Sequence, residues 1–117
     1  MTEPIRDRAT FARLRQTGRR ARRGPVTVTW APADDGDTPR VAYAIGRAVG
    51  GAVVRNRVRR RLRAAVAEIE PQLRPGAYLF GARPEAATAP YRELKAAVSQ
   101  VVTAVVEPPA PTAPTGR

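Results

Sequence analysis

The stretch GGAVVRNRVRRRLRAAV, residues 50–66, decides the fold of this chain. It holds six arginines within the nine positions 55–63, and apolar residues interrupt the arginines throughout. Advancing about 100° per residue from Val54 gathers the apolar residues into a stripe about 120° wide. The stripe consists of Val58, Leu62, Ala65, Val66 and Ile69. This spacing predicts a helix, ended by Pro71, that buries one face and holds its arginines as a rigid surface rather than as a loose basic tail.

Three predicted elements, a helix and two strands, precede this helix. Asp7 predicts the N-cap of a first helix that runs through Gln16 and stops at Gly18. The alternating, β-branched residues 26–30 predict a strand, and a longer loop joins it to a second strand at residues 40–45. We expect these two strands to pair as a hairpin.

Two more elements follow the central helix. Residues 77–82 predict a short buried strand, with Tyr78 and Phe80 in the core, and a last helix begins at Thr88 or Ala89-Pro90. Its core positions are Tyr91, Leu94, Val98, Val101, Val102 and Val105. The order α-β-β-α-β-α indicates an α+β two-layer sandwich, with helices packed on a small mixed sheet.

A single domain accounts for this pattern in a chain of 117 residues. We expect one folded domain over residues 1–106 and a disordered Pro-rich tail over residues 107–117. The acidic residues 34–37 lack the later ligands of a calcium loop, so they predict a solvated hairpin tip rather than a metal site. The basic run 19–23 predicts a flexible entry to the first strand, and phosphate contact is the favoured role over a plain basic loop.

The charge balance predicts a polyanionic partner. The chain has 21 Lys+Arg against 10 Asp+Glu, a net charge of +11, and a pI near 11.6. All but one of the cations are arginines, whose guanidinium binds phosphate through two parallel hydrogen bonds. The chain has no histidine and its acids are scattered, which argues against cleavage of nucleic acid by side-chain acid–base chemistry.

The remaining composition predicts a cytoplasmic protein without a membrane partner. The chain has no cysteine, no long apolar run and no N-terminal secretory pattern. A membrane-active basic helix is a weaker interpretation, because the apolar stripe of the central helix lacks the bulky aromatics that anchor a helix at an interface.

The run Gly50 to Arg63 resembles the RNR motif of the bacterial ribonuclease P protein subunit, a Gly-Asn-Ala-Val-x-Arg-Asn-Arg-x-Lys-Arg core. The resemblance extends from about Phe11 to about Val105, and residues 78–83 look like the family strand that ends in Ala-Arg. It implies the family's sandwich, a fold shared with a ribosomal protein domain, in which the βαβ crossover is left-handed. Parallel crossovers are right-handed in about 98% of cases, so composition alone would predict the other hand.

The same resemblance implies an activity, the removal of 5′ leaders from precursor tRNA by an endonuclease made of a catalytic RNA and a protein. In that family the RNA performs the hydrolysis with Mg²⁺ bound mainly by RNA, and the protein supplies no catalytic side chain. A general basic RNA-binding protein of the ribosomal type is the alternative. Asn56 favours the first function, because an amide amid arginines serves a hydrogen bond rather than charge.

The resemblance implies two groups of site residues, and the basic run 19–23 by itself predicts a third, the phosphate arm. The catalytic RNA is expected to contact Arg47, Arg55, Asn56, Arg57, Arg59, Arg60 and Arg63. The leader-binding cleft is expected to hold Phe11, Arg15, Thr29 and Arg83, and the phosphate arm Arg19, Arg20, Arg22 and Arg23.

The chain departs from the family pattern at three positions. Arg15 and Thr29 stand where aromatics are common, and Gly51 replaces the usual Asn. Phe11 fits a leader contact and the core equally well. Trp30 fits packing or a surface anchor better than a platform on which a base stacks. Fewer aromatics in the cleft imply either weaker readout of the leader or more reliance on arginine, because each aromatic stacked on a base contributes about 1–3 kcal/mol.

Overall fold

The computed structural model describes residues 2–32 and 38–106. Its strands and helices are β1 (Glu3–Pro4), α1 (Arg8–Thr17), β2 (Arg19–Arg23), β3 (Val26–Pro32), β4 (Arg40–Ala44), α2 (Ala52–Ile69), β5 (Gly76–Ala82) and α3 (Tyr91–Val106). The predictions for the acidic residues 34–37 and for the tail 107–117 lie outside the described residues.

The strands of the described chain form one mixed sheet in the order β1-β4-β5-β3-β2. The central strand β5 is antiparallel to β3 and parallel to β4. At the two edges, β1 runs parallel to β4 and β2 runs antiparallel to β3. Because β4 and β5 are parallel neighbours, α2 is the helix of a crossover connection between them. The α+β class is confirmed, and the left hand of the crossover stays a prediction.

Helices cover both faces of the sheet, because successive side chains of a strand point to opposite faces. Trp30 and Tyr78 belong to the main core, which α2 and α3 complete. Their neighbours Ala31 and Ala77 pack instead with Leu14 of α1. The two predicted layers are the sheet and the α2–α3 layer, and α1 adds a partial layer on the other face.

Periodicity predicted the helices correctly. All five residues of the apolar stripe of α2, from Val58 to Ile69, are buried. Asp7 caps α1 as predicted, since its carboxylate Oδ2 accepts a 3.0 Å hydrogen bond from the backbone N–H of Thr10. Gly18 ends that helix, and its N–H donates to the carbonyl of Leu14.

The predicted hairpin between β3 and β4 is wrong. β5 lies between these two strands and pairs with both of them. The physical reason is that β5 is apolar on both faces, with Tyr78 and Phe80 fully buried on one side and Ala77 on the other. A strand of that composition is stabilised most at the centre of a sheet.

The flexible entry predicted at residues 19–23 is also wrong, because this run is strand β2. It pairs with β3 through a two-residue turn at Gly24-Pro25, and Gly24 has a φ of +54°. A two-residue hairpin of this kind calls for glycine at its first central position. Arg19 to Arg23 are therefore fixed in register against Trp30 to Val26. The two-residue strand β1 was not predicted either.

Gly76 is expected to tolerate no side chain. Its φ is +148°, and a Cβ would collide with the indole nitrogen of Trp30 and lie 2.7 Å from the carbonyl oxygen of Ala31. Gly76→Ala should lower the free energy of unfolding by about 2 kcal/mol, measured by denaturant titration. Gly46→Ala is the matched control, since nothing lies within 4 Å of the Cβ built there. Equal stability of both variants would contradict this prediction.

Candidate nucleic-acid interface

The arginine face of α2 consists of Arg55, Asn56, Arg57, Arg59, Arg60 and Arg63. Val58 and Leu62 on the opposite side of the helix are fully buried, so the helix cannot rotate without opening the core. Asn56, Arg57, Arg60 and Arg63 are exposed, and Arg55 and Arg59 are half-buried. The structure thus brings together six of the seven residues predicted to contact the catalytic RNA.

Two guanidinium groups of this face are held in place by neighbours. Nη1 of Arg59 donates a 2.6 Å hydrogen bond to Oδ1 of Asn56, so the amide orients an arginine. The guanidinium of Arg63 lies 5.7 Å from the ring centroid of Tyr43 on β4, within the range of a cation–π contact. Held side chains lose less conformational entropy when they bind phosphate.

Two arginines of α2 also tie the helix to the connection between β5 and α3. Arg57 donates a 3.1 Å hydrogen bond to the carbonyl of Ala87, and Arg61 donates a 2.8 Å bond to the carbonyl of Ala89. Arg57 keeps further donors for a ligand, because its side chain is exposed. Sequence reasoning did not single out Arg61, and its partner Ala89 is 28 residues away in the chain.

A shallow groove of 590 Å³ runs along the arginine face and includes Val53 among its lining residues. Val53 is 79% exposed, which makes it the one large hydrophobic side chain classed as exposed among the described residues. Sequence reasoning missed it, although Val53 lies about 100° from the start of the apolar stripe and therefore on the outer side. The groove offers an apolar contact beside the guanidinium groups.

Arg47 precedes α2 in a short 3-10 turn, Arg47–Val49, and its side chain is exposed. Gly50 follows with a φ of +151°, and a Cβ there would lie 2.9 Å from Cβ of Val54. The glycine therefore allows the chain to turn sharply into α2. Arg47 is placed near the start of the arginine face rather than within it.

A second cavity of 440 Å³ lies between α1 and the sheet, and we call it the α1 cleft. Its lining consists of Leu14, Arg15, Gly18, Arg20, Thr29 and Leu79. The cleft brings together Arg15 and Thr29 of the four residues predicted for leader binding, and it adds Arg20 from β2.

The other two residues predicted for leader binding do not line the α1 cleft. Phe11 is half-buried and packs against the cluster formed by Ile5, Leu14 and two alanines. Arg83 follows β5, and its Nε lies 3.5 Å from Oε2 of Glu85. Its backbone N–H bonds to the carbonyl of Pro25, which places Arg83 at the β2–β3 turn.

The arginines predicted as a phosphate arm alternate between the two faces of β2. Arg20 and Arg22 share the α1 side of the sheet, opposite Thr29 and Thr27. Arg19 and Arg23 share the other side, and the guanidinium of Arg19 lies 6.0 Å from the ring centroid of Trp30. The strand therefore divides these four cations, and two of them extend the basic surface beside the α1 cleft.

The acidic residue Glu68, near the end of α2, is engaged by α3. Lys95 Nζ lies 2.6 Å from Glu68 Oε1, and the Tyr91 hydroxyl donates a 2.7 Å bond to Oε2. These hydrogen bonds, first that of Lys95 and then that of Tyr91, lower the pKa of Glu68. Glu68 thus stays ionised, and its carboxylate is engaged by α3.

The described residues include no group of three or more His, Cys, Asp or Glu side chains that could hold a metal ion. No described helix is long and apolar enough to cross a bilayer. A rigid arginine face and a basic cleft on one α+β scaffold are typical of the class of nucleic-acid-binding proteins.

Comparison with known proteins names the family within this class. The profile of the Ribonuclease P family matches residues 1–106. A ribonuclease P protein component from Chloroflexus aggregans is 39% identical, over 95% of this chain and 88% of its own length. One from Thermobifida fusca is also 39% identical, over 89% of this chain and 76% of its own length. The chain belongs to the ribonuclease P protein family, whose activity is hydrolytic processing of tRNA by an endoribonuclease complex.

Solved structures show the same fold. The RNase P protein of Staphylococcus aureus superposes with a TM-score of 0.78 at 18% identity, over 88% of this chain and 94% of that one. The RNase P protein of Thermotoga maritima gives a TM-score of 0.78 at 14% identity, over 90% of this chain and 99% of that one. The fold expected from the RNR motif is confirmed.

Proposed function

We propose that this chain binds the catalytic RNA of ribonuclease P through the arginine face of α2. The observation that carries the proposal is the orientation of that face, in which buried Val58 and Leu62 fix the helix while Asn56 and Tyr43 hold Arg59 and Arg63. Guanidinium groups in fixed positions match phosphates at defined spacing along a folded RNA. Non-specific binding through net charge alone does not require such fixed geometry.

The 5′ leader of precursor tRNA is the proposed ligand of the α1 cleft. The leader is single-stranded, and a basic groove with apolar walls suits a single strand. Arg15 and Arg20 supply the charge, and Leu14 and Leu79 supply the apolar wall. Thr29 adds a hydroxyl that can donate to a phosphate or a base.

The chemical step belongs to the RNA in this proposal. Mg²⁺ is the expected cofactor of the assembled enzyme, and the donor sets of the described residues do not fit a metal site of this chain's own. The protein contributes by neutralising phosphate repulsion, which lowers the concentration of divalent cation that the RNA needs. The cytoplasm, where tRNA is processed in bacteria, is the proposed location.

Reconstitution with the matching catalytic RNA tests this function. Leader removal should reach half its maximal rate at a lower Mg²⁺ concentration with the protein than without it, and the protein alone should cleave nothing. Cleavage at the correct site by repurified, RNA-free protein would refute the division of labour. An equal Mg²⁺ optimum with and without the protein would favour the general RNA-binding alternative.

The α1 cleft gives a prediction about leader length. Arg15→Ala should raise KM about fivefold for a precursor with a long leader, because one charge-assisted phosphate contact is lost. A precursor with a one-nucleotide leader should show no change. Arg13→Ala is the matched control, since Arg13 is exposed on the same helix and does not line the cleft. An equal effect of Arg15→Ala on both precursors would contradict binding of the leader in the α1 cleft.

A further inference from the structure

A third cavity, separate from the α1 cleft, lies between β1, β4 and α2, and we call it the β1 cavity. Its volume is 450 Å³, within the range of sites that hold a small ligand. Buried Ile5, Val41 and Val66 form an apolar inner wall. Neither the arginine motif nor the leader cleft accounts for it.

The entrance of the β1 cavity is basic. Arg59 and Arg63 line it, and both also line the groove on the arginine face of α2. Both guanidinium groups are held, Arg59 by Asn56 and Arg63 over the ring of Tyr43. The cavity therefore opens onto the proposed RNA-binding surface through two cations in fixed positions.

Tyr43 adds a hydrogen-bond donor to the cavity wall. One face of its ring meets Arg63, and the ring stacks on Phe80 at 5.8 Å between centroids. Burial raises the pKa of the phenol to about 12, although Arg63 acts in the opposite direction, so the hydroxyl stays protonated. Within the described part of the chain this hydroxyl has no hydrogen-bond partner, which leaves it available to a ligand.

Two carboxylates, Glu3 and Glu70, also line the cavity. They disfavour a simple inorganic anion, because like charges repel at short range. Glu70 already accepts hydrogen bonds from Thr2, so Glu3 is the carboxylate offered to N–H groups of a ligand. A ligand with a phosphate at one end and a flat ring bearing N–H groups at the other satisfies the cations, the apolar wall and Glu3 together.

We propose that the β1 cavity receives one unpaired nucleotide of the RNA that binds to α2. Its phosphate lies between Arg59 and Arg63, and its base enters against Val41 and Val66. A base turned out of a folded RNA gives sequence-dependent contact that phosphate binding alone lacks. This inference rests on the proposed function, and it adds a specific contact to the charged face.

A bulky residue at position 67 tests the proposal without changing the charge. Ala67 is exposed and lines the cavity, so Ala67→Phe places a ring in the space meant for the base. Binding of the catalytic RNA should weaken about tenfold, a loss of affinity within the range measured when a protein loses its contact with one base. The slope of log K against log[salt] should change by less than one unit. Ala96→Phe, exposed on α3 and outside the cavity, should bind as the wild type does.

Methyl NMR of the unmodified full chain provides a second readout. Cytidine monophosphate should shift the methyl signals of Ile5, Val41 and Val66, and inorganic phosphate at the same concentration should leave them in place. The Ala67→Phe variant should lose the response to cytidine monophosphate. Unmoved methyl signals in the wild type would overturn the proposal even if Ala67→Phe fails to fold.

Two further comparisons decide whether the nucleotide comes from the catalytic RNA or from the leader, and whether the cavity proposal and the proposed function fail separately. Ala67→Phe should bind a single-stranded leader oligonucleotide normally. A loss confined to that oligonucleotide would overturn the assignment to the RNA on α2, and unchanged binding of both RNAs would overturn the cavity site itself. If the wild type fails to bind the catalytic RNA, the proposed function fails, and the NMR titration still decides whether the cavity takes a nucleotide.

Discussion

Replacing Arg59, Arg60 and Arg63 together by alanine is expected to weaken binding of the catalytic RNA about 100-fold at moderate salt. The three side chains line the groove on the arginine face, and each neutralised phosphate adds about 0.9 to the slope of log K against log[salt]. The slope should therefore fall by up to about 2.7 units. Filter binding or fluorescence anisotropy at several salt concentrations measures both quantities.

The control for this triple variant removes the same charge elsewhere. Arg13, Arg74 and Arg92 are exposed and lie outside the groove. Their combined replacement by alanine leaves the same net charge as the first variant and should change the slope by less than one unit. If both variants lose the same slope, RNA binding depends on net charge and not on the arginine face.

Leu62→Ala is expected to have the largest effect on stability. Leu62 is fully buried in the stripe that fixes α2 against α3 and the sheet, so truncation leaves a cavity. The free energy of unfolding should fall by about 2–5 kcal/mol, measured by urea titration. Val53→Ala, on the exposed side of the same helix, should change it by less than about 0.5 kcal/mol.

RNA binding by Leu62→Ala separates anchoring from charge. Where the variant is still folded, all its arginines remain, so the salt slope should match that of the wild type while the affinity falls. A lower slope would show that the loosened helix no longer presents its cations together. An unchanged free energy of unfolding would contradict the role of the stripe as the anchor of the face.

The parts of the fold that were predictable depend on local signals. The α2 stripe repeats at helical spacing, and Asp7 and Gly18 mark the ends of α1. β2 was not predictable in this way, because Ala21 is the only apolar residue in its five positions. This segment becomes a strand through its pairing with β3. The position of β5 between β3 and β4 also depends on pairing between distant segments.

In the candidate site, too, contacts set by local spacing were predictable, and contacts set by tertiary packing were not. Contact between Asn56 and Arg59 follows from their three-residue separation on a helix, and the arginine face was placed correctly. The roles of Arg57 and Arg61 at the carbonyls of Ala87 and Ala89 depend on tertiary packing, so no local pattern shows them. The contact between Arg63 and Tyr43 requires the crossover that places α2 beside β4.

The basic composition of β2 has a consequence for the protein before it meets RNA. β2 is an edge strand, and an open edge offers unpaired backbone groups to the strand of another copy. Four arginines in five positions make two such edges repel each other, so the same residues that extend the basic surface also oppose sheet-to-sheet aggregation. Salt weakens this protection by screening, and an RNA that covers the strand replaces it with a physical barrier.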